Sequence, residues 1–173
     1  MYEFSQKCHV AFGKNTIDQL PELLKRLAAD KKIDRFLIVT SEIMEWNQAM
    51  VERMEKLLLT GGYHAVVFDG VKPNPTMENI RNGKEMFTTE ECQAVIALGG
   101  GSPIDASKVI AHETDSQFFI TVPTTAGTGS EINAWSVIST ENSGDKLSLC
   151  TSEPDLAILD PMLTATMTPT LTF

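Results

Sequence analysis

Ala94-Val95-Ile96-Ala97-Leu98-Gly99-Gly100-Gly101-Ser102-Pro103-Ile104-Asp105 reads as a buried strand, a turn of three glycines and the opening of a helix. Ser102 suits the N-cap, Pro103 the first helical position, and Asp105 the third, where its carboxylate reaches back to the cap amide. Glycines leave backbone N–H groups uncovered and let a ligand approach the main chain. Free amides at a helix N-terminus, with the positive end of the helix dipole behind them, make a site for phosphate. A capped turn without a ligand is the other reading. Capping uses Ser-Pro-x-Asp but has no use for three consecutive glycines.

The same alternation extends to both sides of this segment. Leu20, Leu23, Leu24 and Leu27 recur at helical spacing, with Asp18 as a start signal and Pro21 early. Arg35–Thr40 follows as a strand, Ile43–Leu59 as a helix stopped by Gly61-Gly62, and Tyr63–Phe68 as a strand. Val71–Thr76 carries two prolines and reads as a loop, and a helix from Thr76 to Phe87 leads to Ala94. The helix after Ser102 runs to about Ala111, and Phe118–Val122 is a further strand. Strands separated by helices predict right-handed βαβ units, hence an α/β, Rossmann-like parallel sheet flanked by helices. Beyond Gly129 the pattern changes to short additional strands, Ile132–Ile138 and Leu156–Leu159, joined by polar turns. With no repeats and no low-complexity linker, residues 1–173 are expected to form one domain.

Ligands of such sheets bind at the carboxyl ends of the strands. The segments leaving strands at that edge are Thr40-Ser41, Pro73-Asn74-Pro75, Gly99–Ser102 and Val122–Glu131. The last is dense in hydroxyls and glycines, which suits a loop wrapping a phosphorylated, polyhydroxylated ligand, although an ordinary polar turn has the same composition. The glycine spacing is not GxGxxG, and the acid of a standard dinucleotide fingerprint would have to be Asp69, so that fingerprint is absent.

A net charge of −9 argues against nucleic acid, since no excess of Lys and Arg is present to neutralise a phosphate backbone. Cys8, Cys92 and Cys150 are odd in number and show no CxxC, as expected of reduced thiols in the cytoplasm. His9, His64 and His112 share no metal-ligand spacing, and His64 lies in an apolar run suited to a core histidine. No apolar stretch approaches membrane-spanning length, and no signal peptide is expected.

Ala97–Ala106 and Pro123-Thr124-Thr125-Ala126-Gly127-Thr128-Gly129-Ser130-Glu131 closely resemble the two signature segments of the iron-containing (group III) alcohol dehydrogenases. Pro73-Asn74-Pro75-Thr76 is similar to that family's loop, and Ile158-Leu159-Asp160-Pro161 to the strand closing its N-terminal half. The resemblance is colinear over essentially the whole chain. It implies a dinucleotide-binding domain followed, in the family, by a helical domain holding a divalent metal, iron or zinc. By resemblance, Gly100, Gly101 and Ser102, with Asp105 behind them, meet the pyrophosphate of NAD or NADP. Thr124, Thr125 and Thr128 line the adenine and ribose side, and Asn74 lies near the cofactor. Lys146 matches a lysine that reaches the nicotinamide ribose, though without the resemblance it is a solvated lysine. Leu163 falls where the family has a cofactor-packing residue.

Two departures from the family pattern are visible. Ser41 stands where the family commonly has an aspartate that accepts from the adenosine ribose, which removes a charge that would repel a 2′-phosphate. Glu42 beside it offers a substitute carboxylate, so the preference between NAD and NADP stays open. The chain also ends at Phe173, before the segment bearing the family's metal aspartate and histidines, and its own histidines match none of those ligands. The connection between Ala111 and Phe118 is shorter than in many relatives, as in the branch linked to ethanolamine and propanediol utilisation. The expectation is the cofactor-binding half of a metal-dependent alcohol dehydrogenase, moving hydride between NAD(P) and an alcohol or aldehyde, with no turnover by the isolated chain. The alternatives are a non-catalytic nucleotide-binding or assembly module and a relative of glycerol dehydrogenase or dehydroquinate synthase. Leu163, Met167, Leu171 and Phe173 are expected to present apolar surface through which the chain associates into a homo-oligomer.

Overall fold

The computed structural model of the protein describes residues 7–140, 145–165 and 167. Its strands are β1 (His9–Phe12), β2 (Arg35–Ser41), β3 (His64–Val71), β4 (Ala94–Gly99), β5 (Phe118–Pro123), β6 (Trp135–Ser139), β7 (Lys146–Cys150) and β8 (Leu156–Leu159). The α-helices are α1 (Leu20–Leu27), α2 (Gln48–Thr60), α3 (Met77–Thr89) and α4 (Gly101–Glu113). Six strands form one parallel sheet in the order β1-β8-β5-β4-β2-β3. β6 and β7 form a separate antiparallel ribbon.

Parallel strands covered by helices on both faces are buried on both faces, which explains their near-continuous apolar runs. Phe36, Ile38, Ile96 and Ile120 face one core with Leu24, Val51, Met54 and Leu58 of α1 and α2. Leu37, Val39, Val95, Ala97 and Phe119 face a second core with Ile80 and Phe87 of α3 and Ile104, Val109 and Ile110 of α4. Each fully buried aliphatic or Phe side chain contributes about 1.5–3 kcal/mol, so the sheet is held from both sides.

Several expectations shift. β1 and β7 were not expected: both are short and largely exposed, so no periodicity marks them. The second helix begins at Gln48 rather than Ile43. The Asn47 side chain accepts from Met44 N–H at 2.7 Å and donates to the Glu42 carbonyl at 3.0 Å, folding the intervening residues into a turn. Asp18 starts no helix: it sits in a short 3-10 turn and pairs with Arg53 at 2.6 Å. His64 is exposed at the start of β3, not in the core. Ile132 lies in a 3-10 turn before β6, while β8 joins the main sheet between β5 and β1. Among the described residues no helix is long and apolar enough to cross a membrane.

Candidate functional site

β2 and β4 are neighbours in the sheet, yet the helices that follow them cover opposite faces, α2 with the first core and α4 with the second. Divergence of that kind opens a crevice at the carboxyl ends of the two strands. Thr40, Ser41, Asn47, Leu98, Gly99, Gly100 and Thr124 line it. Beside it, Ser41, Glu42, Trp46, Asp69, Lys72 and Pro73 line a wider cleft of about 650 Å³.

The glycine turn makes the floor. Gly99 has φ +148°, a conformation L side chains rarely adopt, and a Cβ there would lie 2.8 Å from the Pro103 ring. The chain therefore turns earlier than expected. Gly100 is the N-cap of α4 in place of Ser102, no side chain caps the helix, and Ser102 and Pro103 stand inside its first turn. A Cβ on Gly100 would meet Thr125 at 3.3 Å, and one on Gly101 would meet Thr128 at 3.4 Å. The loop after β5 thus stands directly over the turn, and the Thr124 N–H donates to the Gly99 carbonyl at 2.9 Å. An uncapped helix N-terminus under a tight glycine cradle suits an anion.

The remaining site residues divide. Asn74, at φ 57°, donates its N–H to Ser102 Oγ at 3.3 Å and so joins the turn. Lys146 pairs with Ser139 across the ribbon, and the Ser139 N–H donates to the Pro75 carbonyl at 2.8 Å, which brings the lysine's backbone beside the Asn74 loop. Asp105 turns away from the cap it was expected to serve. Its Oδ1 accepts from Ser130 Oγ at 2.5 Å and its Oδ2 from Val137 N–H at 3.0 Å. Leu163 is only 4% exposed and packs in the first core, not on an apolar surface as expected. Leu171 and Phe173 lie outside the described residues.

Lys108 was missed, and the sequence does carry a signal for it: Asp105-x-x-Lys108 places a charged pair on a helix whose other positions are mostly apolar. Its amine is fully buried and donates to Ser130 Oγ at 2.8 Å, Asn133 Oδ1 at 3.2 Å and the Trp135 carbonyl at 2.7 Å. Burial pushes the amine down to about 8, against the pull of Asp105 and Glu131. Trp46 and Lys72, both in the wide cleft, also carried no motif. Among the described residues no three His, Cys, Asp or Glu side chains come together to hold a metal ion.

Comparison with known proteins identifies what the chain as a whole is similar to. The sequence profile described as iron-containing alcohol dehydrogenase matches residues 8–161. The chain is 32% identical over 171 residues to 1,3-propanediol dehydrogenase of Citrobacter freundii, covering 88% of this chain and 43% of that protein. It is 28% identical to the NADPH-dependent butanol dehydrogenase of Clostridium saccharobutylicum, covering 99% and 48%. The crystal structure of a 1,3-propanediol oxidoreductase superposes with a TM-score of 0.88 at 27% identity, over 99% of this chain and 49% of that one. The chain therefore spans about half the length of the relatives it matches.

Proposed function

Because the chain belongs to the iron-containing alcohol dehydrogenase family, we propose that it is the half of such an enzyme that holds the nicotinamide dinucleotide. The observation that carries this reading is the uncapped start of α4 beneath the Thr125–Thr128 loop, at the crevice between β2 and β4. In this reading residues 1–173 act as one dinucleotide-binding domain. The amides of Gly100, Gly101 and Ser102 take the pyrophosphate, and Thr124, Thr125 and Thr128 close over it. Ser41 receives the adenosine ribose, while Asn74 and Lys146 lie toward the nicotinamide side. Asp105 contributes through the fold rather than by contact, since both its oxygens are engaged.

NAD(P), when bound, supplies the hydride donor or acceptor. The task of this chain is to orient that ring against an alcohol or aldehyde completed by the rest of the enzyme. The metal that the family name implies finds no donor set among the described residues. Ser41 admits a 2′-phosphate that an aspartate would repel, and we propose that the crevice takes NADP as well as NAD. The NADPH in the name of the Clostridium saccharobutylicum relative supports this. We place the protein in the cytoplasm, where its free cysteines stay reduced.

Calorimetric titration of the chain with NADH and with NADPH, in metal-free buffer, tests the reading. Binding of both is expected, and Gly101→Val, which crowds Thr128, is expected to weaken it at least tenfold, about 1.4 kcal/mol. An unchanged dissociation constant in a folded Gly101→Val variant would overturn the assignment of the turn.

A further inference from the structure

The loop that stands over the glycine turn is held from below by three side chains, Thr121, Asp105 and Lys108, of which Lys108 makes the most bonds. Lys108 sits two turns into α4 with its amine fully buried. An ammonium has three protons, and it meets three acceptors, Ser130 Oγ, Asn133 Oδ1 and the Trp135 carbonyl, at 2.7–3.2 Å. Asp105 Oδ1 lies 3.8 Å from the amine and accepts from the Ser130 hydroxyl. Ser130 in turn donates its N–H to Thr128 Oγ1 at 3.3 Å, and Thr128 is the residue facing Gly101. The path thus runs from a buried charge, through Ser130, to the threonine above the phosphate turn. Asn133 locks the same stretch, donating from Nδ2 to the Gly129 carbonyl at 2.6 Å.

We propose that Lys108 is a positioning residue for the dinucleotide: through Ser130 it sets the height of Thr128 over Gly101. The proposal rests on the cofactor-binding reading above. Removing the amine takes from Ser130, Asn133 and the Trp135 carbonyl the donor they share, leaving Asn133 Oδ1 only the Trp135 N–H at 2.8 Å, and acceptors that lose a donor inside the fold are costly. The Gly127–Trp135 stretch then relaxes toward water while the sheet beneath it stays intact.

The test is a double-mutant cycle with two readouts on the full chain, the NADPH dissociation constant and amide hydrogen exchange. Lys108→Met keeps the length of the side chain and removes its donors. It is expected to weaken NADPH binding about tenfold and to speed exchange at residues 127–137, with β4 and β5 still protected. Lys108→Arg, which keeps charge and donors, is expected to recover part of both. If Lys108 acts through Thr128, the Lys108→Met/Thr128→Ala double variant binds no worse than the weaker single variant. Additive losses would overturn the proposed path. Wild-type affinity and exchange in Lys108→Met would overturn the proposal altogether. If Lys108→Met fails to fold, Ser130→Ala tests the same path, and wild-type affinity in that variant overturns it. If the wild-type chain binds no dinucleotide, the cofactor-binding reading fails. The exchange data then decide separately whether Lys108 holds the loop, and unchanged exchange rejects that too.

Discussion

The depressed basicity of the buried Lys108 amine has a signature in stability. Its value is about 8 in the folded chain against 10.5 for an ordinary lysine. Between those pH values the unfolded chain holds the proton more tightly, so unfolding takes one up and stability rises with pH. Burial pushes the thiols of Cys8 and Cys92 the other way, up to about 11 from 9.0. That raises proton binding in the folded state and lowers stability as pH climbs above 9.0. The lysine effect therefore stands clear between pH 8 and 9. Urea titrations across that interval are expected to show rising stability in the wild-type chain and none of that rise in Lys108→Met. At this scale the glycine turn was legible, because three glycines in a row have few other uses. Asp105 was misread: a cap is a local act that spacing suggests, whereas its true partners, Ser130 and Val137, lie 25 and 32 positions away.

The α3 helix shows what an element needs in order to announce itself. Thr76 accepts from the Asn79 N–H, and Asn79 Oδ1 accepts from the Thr76 N–H, a reciprocal box at the place where the apolar period begins. Thr76→Ala is expected to cost about 1 kcal/mol in chemical denaturation, and to loosen the neighbouring bridge to Ser139. Helices and central strands could be read because burial on defined faces imposes a period. β1 and β7 could not, since each has only a few residues and little burial. The start of α4 was placed too late for a different reason. The backbone at Gly99 takes φ +148°, and it is this turn that lets the helix begin at Gly101. Propensity alone favoured the serine.

For the whole molecule, alternation of strands and helices was enough to foresee the parallel sheet and the edge at which the crevice opens. The strand order was not foreseeable in this way, because it depends on which face each connection crosses. Of the residues near the C-terminus from which oligomerisation was expected, Leu163 is core, Met167 is half-buried, and Leu171 and Phe173 lie outside the described residues. Exposed apolar side chains occur elsewhere in the described chain, among them the most exposed, Phe12. Phe12 is 74% exposed on edge strand β1, with Val10 beside it and Met162 also exposed. Edge strands with apolar side chains favour pairing with a second copy. Sedimentation velocity is expected to show a concentration-dependent rise in mass that Phe12→Ser abolishes; a constant monomer mass would reject this. The crevice and the Lys108 network each carry one of the two tryptophans. Trp46 lines the cleft beside Ser41, and Trp135 lends its carbonyl to the buried amine. The chain thus holds two built-in optical reporters, one beside the crevice proposed to receive the nucleotide and one on the segment proposed to brace it. Replacing either with Phe leaves a single tryptophan, so that changes at the crevice and at the loop become separately visible in light emitted by the protein itself.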